Sequence, residues 1–233
     1  MRSAFNSAKT PSSGYLKDQF LYHLDSASVS FGKRKALDSI SLLVNPKEIL
    51  FVTGKSGAGK TTLLKLLAGD ISSSSGNITR GLRKKAFVSQ VFQDLKLLEN
   101  KTCEENLWVS YDKSLYKNKN EFYSDMNELT KILGVSDRLD IKVAQANGGL
   151  KQKIALIRAL LSKPDVLIAD EPTAALDKES SSRLFDVLNF YNLKRNLTII
   201  WATHNRELVK QFPGKIIHLE NGKLIYSGQA CFI

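Results

Sequence analysis

The stretch Gly54-Lys55-Ser56-Gly57-Ala58-Gly59-Lys60-Thr61, followed by Thr62, has the spacing G-x-x-x-x-G-K-[ST], in which each fixed position has a chemical task. Glycines let the backbone wrap closely around phosphate oxygens, and successive amides point inward where a helix begins. Lys60 is placed to neutralise the β- and γ-phosphates of ATP, and the Thr61 hydroxyl to ligate Mg²⁺. A second group of residues completes the chemistry. Val166-Leu167-Ile168-Ala169 reads as a buried strand, and it delivers Asp170 and Glu171 at its carboxyl end, where such sheets bind ligands. Asp170 is expected to hold Mg²⁺. Glu171 is then the residue to orient and activate the attacking water, since phosphoryl transfer depends on a positioned nucleophile.

These residues need a scaffold, and the apolar patterning supplies one. A buried-type strand is expected over 49–53 and a helix over 61–68, where Leu63, Leu64, Leu66 and Leu67 form a broad apolar face. Strand, glycine loop and helix are the setting a phosphate loop requires. Ahead of it, segments 19–31 and 36–44 are broken by Gly32 and Asn45-Pro46, which predicts an antiparallel layer. Weak strand signals lie at 77–78 and 86–92, a largely helical stretch runs from 103 to 161, and a strand at 197–203 follows an amphipathic segment at 180–193. This alternation predicts an α/β fold: a phosphate-loop core with a mostly parallel sheet, an N-terminal antiparallel β layer and a helical subdomain around 95–150. Residues 1–18 are rich in serine and poor in apolar side chains, and they read as a disordered tail before a single domain at 19–233.

The bulk properties narrow the setting. With 34 Lys and Arg against 23 Asp and Glu, the net charge of +11 favours anionic partners, either nucleic acid or an anionic lipid surface. The clusters Lys33-Arg34-Lys35 and Arg83-Lys84-Lys85 read equally as solvated loop charges. Cys103 and Cys231 have no ligand-spaced neighbours, which argues against a metal site or a disulfide and for a reducing cytosol. The apolar runs are too short to span a bilayer.

In order and spacing, the phosphate loop, Gln93, Asn147-Gly148-Gly149, Asp170-Glu171-Pro172-Thr173, Asp177 and His204 resemble the ATP-binding cassette (ABC) ATPases over about residues 20–228. The resemblance implies ATP hydrolysis with Mg²⁺ and a head-to-tail dimer, formed with itself or with a related ATPase. ATP on one phosphate loop is then capped by the partner's signature motif, here Asn147, Gly148 and Gly149. It further implies that Gln93 touches Mg²⁺ and water, that His204 contacts the γ-phosphate and that Asp177 belongs to the D-loop. Phe31 falls where the family stacks an aromatic ring on adenine; a strand aromatic in the core is the alternative. The family's Leu-Ser-Gly-Gly-Gln/Glu signature is Ala146-Asn147-Gly148-Gly149-Leu150 in this chain, with Lys153 in place of Arg, which suggests slow turnover. An Asn147 amide can still donate where the serine hydroxyl would.

Within the family, segments 53–65 and 92–102 look most like the cell-division ATPases of the FtsE type, with lipoprotein-release and export ATPases as near neighbours. Two features depart from that pattern: segment 76–92 is short, and Lys47 stands where a turn glycine is expected. This resemblance implies an FtsX-like polytopic permease, control of cell-wall hydrolases and a peripheral position on the cytoplasmic face of the inner membrane, with anionic lipid a secondary contact. It places Gln93, Leu97, Leu98 and Trp108 near the permease, unless the apolar ones simply fill the subdomain core. The ATPase subunit of a lipoprotein-release or export transporter is the alternative function. Other rivals are a nucleic-acid-associated cassette, for which this chain lacks the paired cassettes or long inserts, and a cassette that binds ATP but hydrolyses it weakly.

Overall fold

The computed structural model describes residues 20–81, 86–205, 209–210 and 213–229. The expected tail at 1–18, Cys231 and the Arg83-Lys84-Lys85 cluster lie outside these residues.

Strands β1 (Tyr22–Phe31), β2 (Arg34–Val44) and β4 (Ser75–Arg80) form an antiparallel sheet in the order β2-β1-β4. The weak signal at 77–78 is therefore its third strand. Asn45, Pro46 and Lys47 turn the chain into β3 (Ile49–Thr53), and Lys47 adopts φ 64°, the left-handed conformation that favours glycine. Bonds on both sides hold it there: its amide donates to Thr198 Oγ1 at 2.8 Å, and its carbonyl accepts from Asn192 Nδ2 at 2.8 Å.

The second sheet runs β5 (Val88–Val91), β6 (Val166–Asp170), β7 (Thr198–Ala202), β3, β8 (Lys215–Glu220), β9 (Lys223–Gln229). All pairings are parallel except β8 with β9. Its central strands β3, β6 and β7 are covered on both faces, which is why they read as continuous apolar runs. Alternate residues serve opposite cores. Phe51, Leu167, Ala169, Ile199 and Trp201 pack toward the helical side, while Leu50, Val52, Val166, Ile168, Ile200 and Ala202 meet helix α1 (Lys60–Ala68) and the antiparallel sheet. Trp201 and Phe185 stack with centroids 4.4 Å apart in the first core.

Helices α2 (Cys103–Trp108), α3 (Lys119–Ile132) and α4 (Gly148–Leu161) follow β5, and α5 (Lys178–Arg195) follows β6. The expected helical region at 95–150 thus ends inside α4. Trp108, Tyr111, Tyr116 and Phe122 form its aromatic centre, with Trp108 and Phe122 centroids 4.9 Å apart. Tyr116 also donates to Leu161 O at 2.6 Å, and burial raises its phenol pKa well above the ordinary value. Trp108 and Leu97 pack against this core, whereas Leu98 is 47% exposed.

A strap at 95–99 is tied down from both sides. Fully buried Asn106 accepts from Leu98 N at 2.8 Å and donates to Leu98 O at 3.1 Å. From α4, Arg158 donates to Lys96 O and Leu95 O at 2.8 and 2.7 Å, and Lys151 pairs with Glu99 at 3.0 Å.

Candidate active site

Helix α1 begins unlike the other helices. Thr102, Asn118, Asn147 and Asp177 cap α2, α3, α4 and α5 through their side chains, but α1 starts from Gly59 with no side-chain cap and no acidic residue in its first turn. Its first amides therefore remain available to an anion. The loop before them is folded too tightly for side chains at two glycines. A Cβ on Gly54 (φ 150°) would lie 2.5 Å from Leu219 O, and one on Gly59 (φ 105°) would lie 2.8 Å from Ala36 O.

Buried Lys60 threads back through this loop, its Nζ donating to Gly54 O at 2.9 Å and Lys55 O at 3.3 Å. It also stands 3.6 Å from Glu171 Oε1. On the other side, His204 Nδ1 lies 2.9 Å from Glu171 Oε2. Glu171 is thus gripped between a lysine and a histidine at the mouth of the sheet. Its backbone is at φ 52°, a sparsely populated region for a residue with a side chain, and its amide donates to Ala202 O at 2.9 Å. The turn after β6 thereby aims the carboxylate across the loop.

Asp170, the last residue of β6, is 2% exposed and accepts a hydrogen bond from the Thr61 hydroxyl. Burial raises its pKa, an effect opposed by the Thr61 bond and raised further by Glu171. Such a poorly solvated carboxyl gains strongly from a cation. Among the described residues there is no group of three or more His, Cys, Asp or Glu that could cage a metal. A hydroxyl and one carboxylate side by side suit Mg²⁺, which keeps water and substrate phosphates in its shell.

One cleft collects nearly all the expected residues: Phe31, Lys55, Ser56, Gly57, Gly59, Lys60, Thr61, Thr62, Gln93, Asp170, Glu171 and His204. Ala58 sits just behind it, 6% exposed, and its carbonyl accepts from Gly222 N at 3.0 Å. Phe31 is 57% exposed on the cleft wall, so the core alternative for this ring does not hold. The cleft also includes residues the sequence reading did not single out as contacts, among them Arg34, Lys35, Asn221 and Gly222. The cluster Lys33-Arg34-Lys35 carried a signal, since it follows Phe31 across a tight turn. Asn221-Gly222 carried none, because only folding brings the β8–β9 turn to the phosphate loop.

Asn147, Gly148, Gly149 and Asp177 lie elsewhere, around a separate concavity with Gly134, Arg138 and Lys153. Asn147 Oδ1 caps α4 by accepting from Leu150 N at 2.9 Å, which leaves its amide NH₂ as the outward donor. A Cβ on Gly149 would lie 2.9 Å from Ala175 O. Asp177 caps α5, accepting from Ser180 N at 2.7 Å, and that bond holds its carboxyl below the usual range. Leu150 also lines this concavity, but it is 4% exposed and packs in the helical core, so its departure from the motif adds apolar packing at the start of α4. Leu150→Gln is accordingly expected to destabilise the fold by about 1–3 kcal/mol, the usual cost of a buried amide without partners. Urea unfolding checks this.

Residues 37–174 match the family model for the ABC transporter. Among curated proteins, the methionine import ATP-binding protein MetN of Lactobacillus johnsonii is 32% identical over 223 residues, covering 88% of this chain and 64% of that protein. MetN 2 of Bacillus cereus is 36% identical over 207 residues, covering 83% and 60%. The chain thus spans about three fifths of the length of these relatives. Among solved structures, the dimeric cassette MJ0796 bound to ADP and Pi superposes with a TM-score of 0.77 at 22% identity, covering 91% of this chain and 99% of that one. An ATP-binding subunit of an ABC transporter gives 0.79 at 23% identity, covering 89% of each chain. These relatives are named for methionine import, so they lend no support to the cell-division expectation and favour the transporter alternative, although for import and not for the lipoprotein release or export expected there. Phosphate loop, strand-end carboxylates, fold and family model agree: the chain belongs to the ABC transporter family, with the fold of that family's ATP-binding cassettes.

Proposed function

We propose that this chain hydrolyses MgATP as a head-to-tail dimer and thereby drives an importer embedded in the membrane. The observation that carries the reading is the separation of the two concavities. The cleft holds the phosphate loop, Asp170, Glu171, Gln93 and His204, while the Asn147–Asp177 concavity shares no lining residue with it. One chain therefore presents both halves of a nucleotide site on different surfaces, and a second copy, or a related cassette, brings them together. In that arrangement the uncapped α1 amides and Lys60 hold the phosphates, Thr61 and Asp170 hold Mg²⁺ with Gln93 nearby, Glu171 takes a proton from the attacking water, and His204 fixes Glu171. The Asn147 amide donates to the phosphates from across the interface. Bound Mg²⁺ supplies neutralisation of charge on the phosphate oxygens.

The names of the curated relatives support the import class and suggest an amino acid such as methionine as cargo. No described helix is long and apolar enough to cross a membrane, and the import reading gives the chain a polytopic permease as its partner. Exposed Leu98 on the strap and Val109 after α2 offer it apolar contact. The charge of +11 adds attraction to anionic lipid of about 1 kcal/mol per basic residue near the surface, a contribution that salt screens. Membranes washed at high salt are expected to retain the protein, and deleting the adjacent membrane-protein gene should release it. Release by salt alone, or retention without the permease, would count against the proposal.

A further inference from the structure

Two hairpin tips line the cleft, and one of them carries an uncommitted arginine. Phe31 and Arg34 are directly paired across the β1–β2 turn, Gly32-Lys33, and both line the cleft. Residues opposite each other on antiparallel strands project from the same face, with Cβ atoms about 5 Å apart. A base stacked on the exposed Phe31 ring therefore presents its edge within reach of the longer Arg34 side chain.

Three of the neighbouring cations are already engaged. Lys35 pairs with Asp38 at 2.9 Å, Lys223 approaches the same carboxylate at 3.7 Å, and Lys60 is held by the loop carbonyls and Glu171. Arg34 makes no hydrogen bond or ion pair among the described residues, although it is paired with Phe31 and lines the cleft. The position is rigid at its base. Asp38 N donates to Gly222 O at 2.8 Å and Gly222 N donates to Ala58 O at 3.0 Å, which stitches β2, the β8–β9 turn and the phosphate loop together.

We propose that Arg34 reads the edge of the nucleobase stacked on Phe31, and that this biases the site toward guanine relative to adenine. A guanidinium has donors in a fixed fork and no acceptor. Guanine offers two acceptors, O6 and N7, on one edge and can take both arms of the fork, whereas adenine offers N7 beside an N6 donor. An arginine here thus favours guanine relative to adenine. A site without it would be left to stacking, which does not separate the two purines.

The inference rests on the proposed nucleotide site, and the test keeps the two apart. Binding of ATP, GTP and inorganic tripolyphosphate is measured by titration calorimetry, with Mg²⁺, for wild type, Arg34→Ala and Arg34→Lys. Wild type is expected to bind GTP more tightly than ATP, by up to about tenfold, and a preference for ATP would overturn the proposal. Arg34→Ala should weaken GTP by about tenfold, the scale of one bidentate contact, with ATP affected less and tripolyphosphate unchanged. Arg34→Lys, which keeps the charge without the fork, should fail to restore GTP. Equal loss for all three ligands would make Arg34 a phosphate contact, no loss would make it a solvated surface charge, and full rescue by lysine would reduce it to a point charge. Each of these results overturns the proposal. Wild-type protein that binds none of the three overturns the nucleotide site itself.

Discussion

Glu171→Gln protein is expected to keep MgATP while its turnover falls by about a hundredfold or more, the range lost when a positioned general base is removed. Glutamine preserves the shape and can still meet His204, which lies 2.9 Å from Glu171 Oε2, but it has no charge with which to accept a proton. The change also deletes the partner of Lys60 at 3.6 Å and so frees that ammonium for phosphate. ATP should then be held with undiminished or greater affinity. If hydrolysis ends the nucleotide-bridged state of the proposed dimer, the variant is expected to run as a dimer in size-exclusion chromatography with MgATP and as a monomer without it. Unchanged phosphate release in the steady state would remove Glu171 from its assigned role.

The second large effect is expected at Lys60. Its ammonium is buried and bonded to Gly54 O and Lys55 O, so it sits inside the loop it serves. Lys60→Ala removes a charge-assisted donor to phosphate, worth about 1.5–3 kcal/mol, or roughly ten- to a hundredfold in ATP affinity. It also leaves two loop carbonyls without their donor. Calorimetric titration with MgATP checks the first loss, and thermal unfolding without nucleotide checks the second. Loss of ATP binding with little change in the melting temperature would assign Lys60 to the ligand; a large drop in melting temperature would assign it mainly to the loop. Full retention of ATP affinity would contradict the site.

The core of this arrangement was legible in the chain because its chemistry is local. The phosphate loop and the Asp170-Glu171 pair each occupy a few consecutive residues, flanked by apolar runs whose length and density mark buried strands. The parallel sheet followed from the alternation of those runs with amphipathic segments. Features that depend on contacts distant in sequence were not readable. Nothing in Leu150 reveals whether it faces a partner or its own core, since a helix position acquires a direction only from what packs around it. Asn221 reaches the cleft because β8 pairs with β3, and that pairing has no local signature. Lys47 shows the opposite case: a residue unsuited to a left-handed turn sits there because Thr198 and Asn192, from β7 and α5, hold its peptide groups. Assignment to the cell-division branch failed for a related reason, because loop-motif likeness reports chemistry shared by the whole family and says little about cargo.

The strap at 95–99 lies between Gln93 in the cleft and α4, whose first residues line the other concavity. Arg158 and Lys151 sit seven positions apart on α4, about two turns, so the strap is fastened at two points along one side of that helix. A rod pinned twice cannot pivot about either pin alone. Any displacement of the strap must either break a guanidinium's grip on two carbonyls or carry the helix with it, and the second course leaves these bonds intact. In the proposed dimer the chain therefore has a gearless linkage, with little slack, between the cleft and the concavity that faces the neighbouring copy.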